Sequence, residues 1–136
     1  KITFTGPMTL GTLCALADMK STSEHYDLDD EETLYSDFSN ALSPLAERAL
    51  NIGAYVQIDE PLLSTGKVSL ESTKKTLKDF VSRLPPASIE EEKVSLHACG
   101  SMKSVPNLYD TLLDSAIPIL SLGFSSKEEK QNLEAD

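Results

Sequence analysis

Apolar residues along the chain follow two alternating periods. Four short β-rich runs, at 1–5, 54–58, 93–97 and 117–122, each give way to a polar or Gly/Pro turn and then to a stretch with helical spacing. After Gly6-Pro7, the stretch from Thr9 to Met19 places Leu10, Leu13, Cys14, Leu16 and Ala17 at helical intervals, which predicts a short first helix with Cys14 in its apolar face. Asp27, Asp29, Asp30, Glu31 and Glu32 then precede Leu34, Phe38, Leu42 and Leu45, so negative charge stands where a helix macrodipole favours it. Pro44 predicts a kink or split in this helix, and Gly53 its stop. A third helix is expected from Ser69 to Leu84, with Leu70, Leu77, Phe80, Val81 and Leu84 on one face and Pro85-Pro86 as its end. Ser88 to Glu92 reads as a charged loop. A fourth helix from Val105 to Ala116 would present Leu108, Leu112 and Leu113, and Ser125 with Glu128 has capping-box spacing for a fifth.

Strands alternating with amphipathic helices imply βα units and a parallel sheet. The strands are mostly apolar along their length, interrupted by Gln57 and Ser95, as expected of a sheet covered on both faces. In such folds chemistry gathers at the C-terminal ends of the strands.

Composition narrows the classes. With 136 residues, 40% hydrophobic and 25% charged, the chain reads as one globular domain able to bury roughly 65–70% of its extended surface without disulfides. Its two cysteines, Cys14 and Cys99, form no spaced framework, which points to a reducing cytoplasm. Twelve basic against 22 acidic residues give a net charge of −10 with no basic patch, so nucleic acid is excluded as a partner. The longest apolar stretches, such as Ile117 to Leu122, fall far short of the ~20 residues that cross a bilayer. The first residues enter a strand directly, without signal-peptide architecture, and read as a cut end.

The strand ends carry the candidate chemistry. They read Thr5-Gly6-Pro7, Gln57-Ile58-Asp59-Glu60-Pro61, His97-Ala98-Cys99-Gly100 and Ser121-Leu122-Gly123-Phe124. His97 and Cys99 are two apart and face one side, where an imidazole and a thiolate suit a borderline-soft metal such as zinc; the alternative is an inert packing thiol. Asp59 is placed either to hold an ammonium group or to cap the turn before Pro61. Glu60 and Gly6-Pro7 read as structural, the glycine letting the backbone turn sharply, and Cys14 as packing.

Gly-Pro-Met-Thr-Leu (6–10), Val-Gln-Ile-Asp-Glu-Pro (56–61) and Val-Ser-Leu-His-Ala-Cys-Gly (94–100), in that order, resemble the C-terminal catalytic barrel of the cobalamin-independent methionine synthases, especially their short archaeal-type relatives. The resemblance spans nearly the whole chain. It implies an α/β fold of consecutive parallel βα units, with residues 1–136 forming about half of a (βα)8 barrel, since a full barrel takes about 250 residues. It further implies methyl transfer to homocysteine, whose thiol a zinc ion would bind and acidify, with His97 and Cys99 as metal ligands and Asp59 contacting the substrate amino group.

The chain departs from the family pattern at three places. Gly123 stands where the family has a ligand Glu, the family's last ligand Cys has no counterpart, and Thr65 replaces a Glu of the folate-using enzymes. The last change favours a methyl-corrinoid protein over methyl-folate as donor. Half a barrel would leave two unpaired edges and an apolar inner face, so a homo-oligomer or a complementing polypeptide is expected. Two alternatives stand beside this reading: a non-catalytic relative acting as a binding or assembly module, favoured by Gly123, and a methylcobalamin:coenzyme M methyltransferase-like protein. Asp59 speaks against the latter, because coenzyme M has no amino group for it to hold.

Overall fold

The computed structural model describes residues 1–18 and 26–134. Four strands, β1 (Ile2–Thr5), β2 (Val56–Asp59), β3 (Val94–Ala98) and β4 (Ile119–Leu122), form one sheet in the order β1-β2-β3-β4, with every neighbouring pair parallel. Between them lie α1 (Pro7–Asp18), α2 (Glu31–Asn51), α3 (Leu70–Ser82), α4 (Pro86–Glu90) and α5 (Leu108–Leu113), with 3-10 turns at Leu63–Thr65, Met102–Ser104 and Glu129–Glu134. The expected alternation of strands and helices in an α/β fold is therefore present.

Consecutive strands are neighbours throughout, and right-handed crossovers then place the connecting helices on a single side of the sheet. Burial agrees: Val56, Ile58, Val94, Leu96 and Ala98 are almost wholly buried, whereas Gln57, Asp59, Ser95 and His97 between them are only half-buried. Met8, Ala15, Leu34, Leu77, Phe80, Leu108 and Leu112 belong to the same core, and the ring of Phe4 in β1 meets that of Phe80 in α3 at 6.4 Å. The expectation of a sheet covered on both faces is thus overturned. The open face carries Thr3, Gln57, Ser95, Thr5, Asp59, His97 and Ser121, with Ile119 as its apolar exception, so the expected apolar inner face is polar instead. Alternation along each strand sends the apolar residues to the helices and the polar ones away from them.

The helices correct other expectations. In α1 the buried positions are Met8, Thr9, Gly11, Thr12 and Ala15, while Leu13, Leu16 and Ala17 face outward and Cys14 is half-buried. The helix is turned relative to its apolar pattern because Thr12 bonds Tyr35 of α2 through its hydroxyl (3.0 Å) and Thr9 is drawn inward at the helix start. Met19, the last residue expected in this helix, lies outside the described residues. Helix α2 starts as expected, with Asp30 accepting from the Thr33 N–H (3.1 Å), and Gly53 closes it. It runs unbroken through Pro44, whose ring faces solvent, and residues on both sides of the proline, Leu42 and Ser43 before it and Ala46, Ala49 and Leu50 after it, are buried. Leu45 and Leu113 are exposed, and Pro86–Glu90 forms a short helix where a loop was expected, with Pro86 in its first turn.

Candidate functional site

The register of the sheet assembles the strand-end residues. Thr5, Asp59, His97 and Ser121 are successive partners across β1, β2, β3 and β4, so they form one row on the open face at the C-terminal edge. Neighbours in such a row stand about 4.8 Å apart along the backbone. All four are half-buried. Asp59 Oδ1 accepts a hydrogen bond from Gln57 Nε2 at 2.8 Å, which aims the carboxylate along the open face. That is its side-chain bond; the following turn is held instead by Glu60 and Thr9 through Leu63 N–H→Glu60 O and Leu62 N–H→Thr9 Oγ1.

His97 Nδ1 lies 2.8 Å from the Ser121 carbonyl oxygen. A carbonyl only accepts, so Nδ1 carries a proton, and Nε2 is the nitrogen left to bind a metal or a proton. A backbone carbonyl behind a histidine in this way is the usual support for a metal-binding imidazole. Past Ala98, which is buried and ends β3, comes the half-buried Cys99, whose thiol is in no disulfide. The turn continues through Gly100 at φ 84°, where a β-carbon would stand 3.0 Å from Ser64 Cβ.

Beneath the row sits a buried carboxylate. Glu60 is wholly buried, and its Oε1 and Oε2 accept from the N–H groups of Met8 (2.9 Å) and Thr9 (2.7 Å) in the first turn of α1. These are orphan donors of a helix start, and the macrodipole favours negative charge there. Burial nevertheless pushes the Glu60 carboxyl up to about 7, against those hydrogen bonds. Glu60 is structural, as expected, but Gly6 acts differently from expectation. Its φ is not positive; its lack of a side chain leaves room for the Glu60 carboxylate and for Ile58 Cγ2.

The end of β4 holds a residue that sequence reasoning missed. Glu129, rather than Glu128, closes the capping box: its N–H donates to Ser126 Oγ (3.0 Å), and its Oε2 accepts from the Ser126 N–H (3.0 Å) and the Ser125 N–H (3.2 Å). The signal was legible as Ser126-x-x-Glu129, one residue beyond the spacing expected, and the segment is a 3-10 turn rather than a fifth α-helix. The carboxylate also fills the space above Gly123, where a β-carbon would stand 2.5 Å from Glu129 Cδ.

His97 and Cys99 are the donors a zinc ion would find here, and Asp59 accepts from Gln57 through Oδ1. Among the described residues no group of three His, Cys, Asp or Glu side chains could hold a metal. Two donors do not fit the three or four of a zinc site, so these residues alone do not make one. Elsewhere, a groove of about 750 Å³ between α2 and α3 is lined by acidic and hydroxyl side chains including Glu32, Asp37, Ser39 and Glu71, away from the strand ends. No helix among the described residues is long and apolar enough to cross a membrane.

No family model and no solved structure matches the chain. Curated proteins do. It is 31% identical over 124 residues to a methionine synthase of Methanothermobacter marburgensis, covering 90% of this chain and 35% of that protein. It is 30% identical over 120 residues to the methionine synthase of Methanocaldococcus jannaschii, covering 88% and 35%, and 30% identical over 103 residues to that of Methanothermobacter thermautotrophicus, covering 75% and 30%. The chain spans about a third of the length of these relatives. The order of the strand-end motifs and the similarity over most of its length place the chain, as a partial member, in the methionine synthase family.

Proposed function

We propose that the chain is the part of a methionine-synthase-type methyltransferase that binds homocysteine, forming consecutive βα units of about half a (βα)8 barrel over residues 1–136. In that reaction the homocysteine sulfur loses its proton and gains a methyl group as the donor's bond to that methyl breaks. The observation that carries the reading is the row on the open face, where Asp59 and His97 are register partners and Cys99 follows two residues later. Asp59 would take the substrate ammonium by a charge-assisted hydrogen bond. His97 Nε2 and the Cys99 thiol would be two donors toward zinc, the remaining donors coming from outside these residues.

Several features support the barrel reading. The strand order advances without reversal, and the row of Thr5, Asp59, His97 and Ser121 lies at the C-terminal ends of the strands, where a barrel carries its catalytic residues. Exposed Leu13 and Leu16 on α1 and exposed Leu113, Ile119 and Phe124 beside β4 offer apolar surface at both ends of the sheet. A copy of the chain or a complementing polypeptide would cover them. The proposed donor is a methyl-corrinoid protein, with methyl-folate as the alternative given Thr65, and the two free thiols suit a reducing cytoplasm.

Zinc content with homocysteine present tests this reading. The chain should take up zinc only weakly alone, and His97→Ala and Cys99→Ala should each abolish the uptake. No zinc even with homocysteine and an added complementing chain overturns it. A second reading, a non-catalytic module on the same scaffold, is favoured by Gly123 and by the Glu129 carboxylate packed over it. Stoichiometric zinc lost in both variants would rule that out.

A further inference from the structure

We infer that Glu129 is a positioning residue that sets the conformation of the Cys99–Gly100 turn and so governs the exposure and reactivity of the Cys99 thiol. The Gly100 N–H belongs to the peptide that joins Cys99 to Gly100, and it donates to Glu129 Oε1 at 3.1 Å. The other carboxylate oxygen is anchored by Ser125 and Ser126, with the Ser125 hydroxyl adding a bond at 3.1 Å. The carboxylate is therefore fixed at its far side before it reaches Gly100.

The next peptides are held from the same segment. Asn132, itself buried, donates through Nδ2 to the Gly100 and Gly123 carbonyls (3.0 and 2.9 Å) and accepts the Met102 N–H at 2.8 Å. Gln131 Oε1 accepts the Ser101 hydroxyl at 3.2 Å. Residues 129–132 thus clasp the ends of β3 and β4 together immediately after Cys99. Gly100 has a positive φ and no Cβ, so its own conformational preference contributes little to fixing the turn. The geometry comes from the clasp.

The bonds that Glu129 accepts come from Gly100 at Oε1 and from Ser125 and Ser126 at Oε2, none of them from Asp59, His97 or the Cys99 side chain. Its role is to orient Cys99 rather than to ligate or react. The functional meaning of that orientation rests on the proposed role of Cys99 as a donor; the orientation itself does not.

The test needs no zinc, so its failure is separable from failure of the methyltransferase reading. Alkylation of Cys99 and Cys14 by iodoacetamide is followed peptide by peptide in the full chain, with Cys14 in α1 as the internal control. Glu129→Ala should raise the Cys99 rate at least about threefold while leaving Cys14 unchanged, because the turn loosens and a negative charge is lost from its vicinity. Gly123→Ala, which crowds the carboxylate without removing it, should do the same. Glu129→Gln keeps one carbonyl oxygen for either Gly100 or Ser126 and should fall between. Unchanged Cys99 rates, a parallel rise at Cys14, or unfolding of Glu129→Gln by circular dichroism would overturn the inference, since each marks Glu129 as irrelevant to the turn or as a general stability element.

Discussion

A β-carbon placed on Gly6 would stand 2.5 Å from Cδ of Glu60. The two residues face each other across the start of α1, and the glycine exists to leave that space. Gly6→Ala should therefore destabilise the fold by about 1–3 kcal/mol, because the carboxylate must leave the Met8 and Thr9 N–H groups or the helix must shift. The sign is the informative part. A glycine replaced at an unstrained φ with open space would gain about 0.4–1 kcal/mol instead. Urea denaturation of the two proteins decides between them.

Glu60 should give stability a distinctive pH dependence. Its folded carboxyl titrates at about 7, above the ordinary 4.5, so the folded state binds the proton more tightly. The associated stability is fully present below about 4.5 and is lost as pH rises through about 7, with a slope of at most about 1.4 kcal/mol per pH unit. Glu60→Gln removes that slope and leaves one of the Met8 and Thr9 N–H groups facing an amide N–H, at a cost of about 1–3 kcal/mol. Denaturation midpoints of both proteins between pH 4.5 and 7.5 should diverge in slope as well as in height.

Glu129 should behave in the opposite sense. Hydrogen bonds from Ser126, Gly100 and Ser125 hold its carboxyl down to about 2. Its contribution is present above about 4.5 and is lost as pH falls through about 2. The amide resonances of Gly100, Ser125 and Ser126 should therefore shift together with a midpoint near 2 in an acid titration. Separate midpoints close to 4.5 would show that the carboxylate does not bridge them.

Pro44→Ala should stabilise the chain. The residue is exposed inside α2 and lacks an N–H for the Asn40 carbonyl, and proline costs about 3 kcal/mol against alanine in a helix interior. A gain of about 1–3 kcal/mol in thermal or urea denaturation is expected. A loss would mean that the proline ring fixes a bend which the α1 and α3 contacts require.

Much of this architecture was legible in the residues. The four strands, the caps at Asp30 and Ser69 and the stop at Gly53 all follow from local patterns that the structure repeats. What escaped was the direction in which faces point. Leu13 and Leu16 look like core by spacing, yet α1 turns Thr9 and Thr12 inward, because the Thr12–Tyr35 bond and the Glu60 carboxylate are contacts between segments far apart in the chain. The polar rows of the sheet escaped for a related reason. Gln57 and Ser95 read as interruptions of apolar strands until register makes them neighbours on one face. Glu129 was hidden by a single position in a capping pattern, and nothing local announces that its other oxygen reaches Gly100.

The division of the sheet into an apolar side beneath the helices and a polar side away from them separates two histories within one strand. Val56 and Ile58 answer to folding, whereas Gln57 and Asp59 touch little of the core that keeps the chain folded. Substitutions on the polar side can accumulate with small effects on the fold, so the residues of the strand-end row are free to change while the scaffold beneath them persists.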